Sequence, residues 1–341
     1  MDFSPWLKQM PAFSLPGLEA FHRAGENPHY RWASVTSEAG DNGVGSRCFK
    51  PRLFPKFKLS KTEPAFAIGS CFAQEVQMAL LGQGFGFVTN IVDSPVRDFF
   101  MQQISASEGR FWPLHFFHRY NVPSMLQEIK RIVHDDSPLN GDALLFPDSK
   151  GQVCDFHYHH HFPLASVDQA IARRRFIRER LLELQHCAVF IITLGLTEVW
   201  FDKEAGLYLN ITPSYPLVSG SPDRFVFMVL SAQEIHDDLC ELIAEVRSVA
   251  PHIKFVITVS PIPLEGTFAP TDIVVSINHS KASLITAARE IAYSDPDIDY
   301  FPSYEMVYMS ARDGVWTDDQ RHVTPEFVQE IMRHFSESYV E

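Results

Sequence analysis

The sequence predicts an α/β fold, a three-layer sandwich with a mainly parallel sheet and an insertion, and three observations predict it. The apolar runs at 65–68, 188–194 and 254–259 are short and do not alternate with polar residues, as strands buried on both faces require. Amphipathic stretches with helix-capping signals lie between them. Hydroxyl, glycine and carboxylate residues gather just after the apolar runs, where open parallel sheets place their sites.

In chain order, residues 1–62 are rich in Pro, Gly, aromatics and charge without a sustained period, and read as an irregular arm packed on the core. Ala65-Phe66-Ala67-Ile68 reads as a buried strand. Gly69-Ser70 follows, then a helical pattern from Cys71 to Leu81 with Phe72, Val76, Ala79 and Leu80 on one face. Residues 87–165, after Gly82, Gly84 and Gly86, read as an insertion holding one capped amphipathic helix from Ser124 to His134. A charged helix over 166–186 leads into the strand 188–194 and Gly195. Ser231 with Glu234 three places on caps a helix over 232–250, ahead of the strand 254–259 and Ser260-Pro261. A helix over 280–293 and a strand over 298–301 make the last unit. Residues 63–341 therefore form one catalytic domain with an insertion at about 87–165.

Composition bounds the function. With 341 residues, 45% hydrophobic and 13% aromatic, the chain can fill a sizeable core. A formal net charge of −13 argues against nucleic acid or an anionic membrane as partner, since both select basic surfaces. Five scattered cysteines without a CxxC pair suggest neither a disulfide frame nor a thiolate zinc site, and point to a reducing compartment. The N-terminus has no basic-then-apolar leader and no apolar run is long enough to cross a bilayer, so a cytoplasmic location is expected.

The residues after the strands are Gly69-Ser70, Gly195-Leu196-Thr197-Glu198, Ser260-Pro261 and, near the C-terminus, Asp318-Asp319-Gln320-Arg321-His322. A serine hydroxyl attacks an acyl group only when an imidazole takes its proton and a carboxylate holds that imidazole in one tautomer. Ser70 at a helix start also has backbone N–H groups at hand for an oxyanion. The bland alternatives are a Ser70 that merely caps its helix, a surface His322 and a solvated Asp319. Cys71 is the rival nucleophile, or a small core residue. His157-Tyr158-His159-His160-His161 is the rival centre, because alternate histidines on a strand can bind zinc; a rim of the acyl cleft is the other reading of that run. Lys281 and Arg119 read as surface cations, or as groups that hold an anionic substrate if they line the cleft.

Gly69-Ser70-Cys71-Phe72-Ala73 resembles the signature of the GSCFA family, placed among the SGNH-like hydrolases. The segments 192–200, 258–261, 278–282 and 300–305 resemble family segments in the same order, over roughly residues 50–335. The resemblance implies an SGNH-hydrolase-like, flavodoxin-like fold and a serine esterase or O-acyltransferase without a cofactor, acting on a small-molecule or carbohydrate ester. It implies Ser70 as nucleophile, His322 as base and Asp319 as its partner. The usual Gly-Asp-Ser is replaced by Gly-Ser-Cys, and Gly-x-Asn-Asp by Gly195-Leu196-Thr197-Glu198, which lacks the asparagine oxyanion donor. Thr197 or Asn121 is the candidate replacement, Gly195 offers a backbone N–H, and Glu198 reads as structural first, then as the partner of a catalytic or substrate cation, or as a solvated loop charge. A non-catalytic binding or scaffold protein on the same fold is the alternative, and a metal-dependent hydrolase using the histidine run is the other.

Overall fold

The computed structural model describes residues 13–27, 31–32, 43–89, 117–134, 143–158 and 164–341. Its centre is a four-stranded, all-parallel sheet. The strands are β1 (Ala65–Gly69), β4 (Val189–Leu194), β8 (Lys254–Val259) and β9 (Ile298–Phe301), in the spatial order β1-β4-β8-β9. Register runs straight across, with Gly69 opposite Thr193 and Thr193 opposite Thr258. The three inner ladders therefore end at one level.

Helices on both faces explain why these strands lack polar alternation. Phe66, Ile68, Phe190, Ile192, Phe255 and Ile257 face a core completed by α3 (Val122–His134), α4 (Val167–Leu181), α6 (Ala232–Val249) and α7 (Ile273–Ser294). Ala65, Ala67, Val189, Ile191 and Val256 face the opposite core, closed by α2 (Cys71–Leu81), α8 (Ser303–Met309) and α9 (Pro325–Tyr339). That is a three-layer α/β sandwich. The arm residues 56–59 lie beside it: Phe57 and Leu59 are buried, and Leu59 N–H donates to the Tyr339 carbonyl at 2.8 Å. A short helix α1 (Gly17–Glu26) buries no side chain.

The structure corrects three boundaries and adds a three-stranded sheet and a two-stranded hairpin. The charged helix predicted over 166–186 is α-helical only to Leu181 and finishes as a 3₁₀ turn, Leu182–His186. The helix predicted to start at Ser280 starts at Ile273, because the Asp272 carboxylate accepts from Val274 N–H at 2.8 Å and caps it. Its β-branched opening Ile273-Val274-Val275 hides that start in the sequence. The predicted helix at 124–134 begins at Val122. The stretch after Gly195 forms an antiparallel sheet, β6-β5-β7, of β5 (Glu198–Asp202), β6 (Leu207–Leu209) and β7 (Phe225–Val229), with a six-residue helix α5 (Tyr215–Gly220) before β7. A hairpin of β2 (Leu145–Pro147) and β3 (Val153–Asp155) packs beside it, sharing the cluster Leu144, Phe156, Leu207, Leu209 and Phe225. No helix among the described residues is long and apolar enough to cross a membrane.

Candidate functional site

The site begins where β1 stops. Ser70 N–H is the last rung of the β1–β4 ladder, donating to the Thr193 carbonyl at 3.1 Å, while the Ser70 carbonyl turns to accept the first helical bond from Ala73 N–H. The chain changes from strand to helix within one residue. Gly69 makes this possible: at φ +150° no side chain is comfortable, and a Cβ there would collide with the Thr193 carbonyl. The result is a buried serine at the N-terminus of α2 whose hydroxyl makes no capping bond and has no hydrogen-bond partner among the described residues. A buried hydroxyl left unpartnered calls for a reason, and helix capping is not that reason.

Three segments press on this turn. Arg119 N–H donates to the Gly69 carbonyl at 2.7 Å, so residues 118–119 bond along the free edge of β1. Gly195, at the end of β4, lies against it so closely that a Cβ would stand 2.6 Å from the Tyr120 carbonyl oxygen and 3.1 Å from Ser70 Cβ. Leu196 N–H donates to that same Tyr120 oxygen at 3.1 Å. Since the Ser70 carbonyl serves α2, the next ladder rung from Gly195 N–H is not made, and that N–H has no backbone acceptor among the described residues.

Asp319 and His322 meet in a tight turn between Trp316 and Val323, which bridge antiparallel. His322 Nδ1 lies 2.5 Å from Asp319 Oδ2. The other carboxylate oxygen accepts from Thr317 Oγ1 at 2.6 Å and from the N–H groups of Arg321 and His322, each at 2.9 Å. Gln320 takes a φ of +56° to close the turn. These bonds, with the Thr317 hydroxyl foremost, hold the Asp319 carboxyl well below the usual carboxylate range. Both side chains are about half exposed, at 46% and 48%.

The turn faces the start of α2. The charge of His322 is felt at Glu75, and that of Arg321 at Cys71 and Tyr120. Arg321 also reaches Glu265, 3.5 Å away on the loop after β8. The Ser70–His322 hydrogen bond itself is not formed. Burial pushes the Cys71 thiol up, against the pull of Arg321 and Lys281, and keeps it protonated.

The remaining sequence candidates have specific occupations. Asn121 caps α3: its Oδ1 accepts from Ser124 N–H at 2.9 Å, and its Nδ2 donates to the Leu209 carbonyl at 3.1 Å. Thr197 N–H donates to Ser280 Oγ at 3.0 Å, and its buried Oγ1 has no partner among the described residues. The Glu198 carboxylate accepts from Thr267 Oγ1 at 2.5 Å and Phe268 N–H at 3.2 Å, tying down the loop after β8.

Arg119 and Lys281 are not surface cations; both are 1% exposed. Arg119 pairs with Glu128 at 3.0 Å, and Lys281 Nζ donates to the Gly195 carbonyl at 2.7 Å. His157 is wholly buried and bonds through Nε2 to Glu128, while His159 and His161 lie outside the described residues. Burial holds His157 down, to about 4. No group of three or more metal-binding side chains occurs among the described residues.

Sequence reasoning missed Asn210. Its buried amide accepts from Tyr120 N–H at 2.8 Å and donates to the His118 carbonyl at 2.9 Å, so it anchors the segment that presses on Ser70. An asparagine one place past a short strand carries no local signal of such a role.

A model of the GSCFA family matches residues 64–335. No curated protein matches the chain. The solved structure of an acetyl xylan esterase (Est2A) from the rumen bacterium Butyrivibrio proteoclasticus is similar over 84% of this chain, at 10% identity and a TM-score of 0.27. The match takes in 64% of that protein's chain, less than two thirds of its length.

Proposed function

Because the chain belongs to the GSCFA family, whose signature frames the most constrained serine described above, we propose that it is a serine-dependent ester hydrolase or O-acyltransferase. The observation that carries this reading is a buried, unpartnered Ser70 hydroxyl in a chain that also holds a prebuilt Asp319–His322 couple. Asp319 accepts from Nδ1–H of His322, which leaves Nε2 with a lone pair to take the serine proton. Ser70 Oγ attacks the ester carbonyl, the carbonyl oxygen becomes an oxyanion, and we assign the N–H groups of Cys71 and Gly195 as its donors. His322 returns the proton to the leaving alcohol, and an acyl-serine results. Water, or the hydroxyl of a second substrate, then attacks that acyl group with His322 again acting as base; the acyl–Ser70 bond breaks and His322 hands the proton to the departing Ser70 oxygen. Serine–histidine hydrogen bonds commonly close only in the substrate complex, which accommodates the open geometry at Ser70.

The test is direct. Ser70→Ala and His322→Ala should each lower p-nitrophenyl acetate turnover by about a thousandfold or more. Ser70→Ala should also abolish covalent labelling by a fluorophosphonate. Wild-type turnover in either folded variant would overturn the assignment.

A further inference from the structure

We propose that Lys281 is the positioning residue of the nucleophile turn, its ammonium clamping the Gly195 carbonyl so that the Gly195 N–H stays beside the Ser70 hydroxyl. The inference rests on the serine reading above. Lysines are almost never fully buried unless paired with a counter-charge, and Lys281 is buried with no carboxylate of the described residues at ion-pair distance. Its hydrogen bond goes to the Gly195 carbonyl, at 2.7 Å. Placing a solitary ammonium in a core is costly, and folds tolerate that cost mainly at working sites.

The geometry says what the ammonium holds. Gly195 stands between Lys281 and Ser70: its carbonyl bonds to the lysine, and a Cβ on it would stand 3.1 Å from Ser70 Cβ. Ser280, the preceding residue of α7, takes Thr197 N–H at 3.0 Å. Two successive residues of one helix thus grip both ends of the Gly195-Leu196-Thr197 loop, and Tyr120 O holds its middle through Leu196 N–H. The loop that lacks an asparagine donor is therefore fixed so that its backbone can serve instead.

Lys281 also gives this arrangement a pH dependence. Desolvation lowers the ammonium to about 7. The titratable group of the described residues that faces it is the Cys71 thiol on α2, which in turn faces Arg321, Glu75 and Tyr120. Burial pushes both Cys71 and Tyr120 up, so neither gains charge as pH rises through neutrality. The proton lost there is the one on Lys281, and the clamp weakens as it goes.

The experiment is the rate of fluorophosphonate labelling of Ser70 in the full-length protein, from about pH 5.5 to 9, for wild type, K281M and K281R. In wild type the rate should fall on the alkaline side with a midpoint near about 7. K281R, always charged, should lose that alkaline fall. K281M should label about tenfold more slowly than wild type below about pH 6.5, with the difference closing on the alkaline side, while keeping its near-UV circular dichroism; that is a smaller loss than removal of an oxyanion donor itself. A K281M rate equal to wild type on the acidic side, an unchanged alkaline limb in K281R, or no alkaline limb in wild type overturns the proposal. A purely structural lysine would lower stability without moving the profile. If neither variant folds, the wild-type profile decides alone. Complete absence of labelling in folded wild type would overturn the serine reading, and this inference with it.

Discussion

A methyl group at position 195 would stand 2.6 Å from one backbone oxygen and 3.1 Å from the side chain of Ser70. Neither neighbour is the free end of a flexible side chain, so Gly195→Ala must move the Tyr120 segment or the serine turn. Overpacking of this kind costs about 1–3 kcal/mol, measurable as a lower urea midpoint. A small displacement of reacting groups also costs up to about a hundredfold in rate, so fluorophosphonate labelling should fall further than stability alone explains; an unchanged rate would contradict the packing described. The strand-to-helix turn at Ser70 and the contact between Asp319 and His322 were legible at this scale, because a hydroxyl follows a buried apolar run and a carboxylate stands three residues before an imidazole. Lys281 was not legible as a buried group. Type and charge place a lysine on the surface, and only the tertiary packing of α7 on the Gly195 loop places this one inside. Asn121 shows the reverse case, a residue whose type suggests a donor and whose position makes it a cap.

Strands β1, β4 and β8 were readable because burial on both faces leaves them nearly all apolar. The sheet β6-β5-β7 was not, since strands of three to five residues leave no period to detect. This small sheet nevertheless bears on the site. Asn210, directly after β6, donates to the His118 carbonyl and accepts from Tyr120 N–H and, at 3.3 Å, from Ser124 Oγ. Asn210→Ala removes the hydrogen bonds to Tyr120 N–H and the His118 carbonyl and should cost about 1–3 kcal/mol in unfolding free energy. It should also slow Ser70 labelling, whereas Gln127→Ala, which removes the Gln127 bonds to the Tyr208 backbone of the same strand, should lower stability with little effect on labelling. Equal rates in wild type and Asn210→Ala would show that the segment 118–120 holds its place without this anchor.

At the scale of the whole molecule, one cluster of buried charges among the described residues gathers around Glu128 and Asp155. Glu128 accepts from Arg119, Arg131 and His157, and Asp155 pairs with Arg174 at 2.8 Å. Although burial alone would raise it, Glu128 is held well below its ordinary value by Arg131, His157 and Arg119, and burial holds His157 down to about 4. Both folded groups bind protons less readily than their unfolded counterparts, so the unfolded chain takes up more protons in acid. Stability should be full above about pH 6.5, the ordinary histidine range, and should fall as pH drops towards about 4, the folded value of His157. Between pH 7 and 4 the thermal midpoint should drop by several degrees, and less steeply in His157→Asn. Parallel curves would show that His157 takes no part in the acid response.

The two halves of the proposed site belong to different environments. Ser70 is set by backbone bonds inside the sheet, whereas the Asp319–His322 turn is half open to water. A base that must load and release a proton in every cycle can therefore exchange it with bulk solvent directly. The interior needs no relay, and the sheet that fixes the serine never has to loosen for the proton to leave.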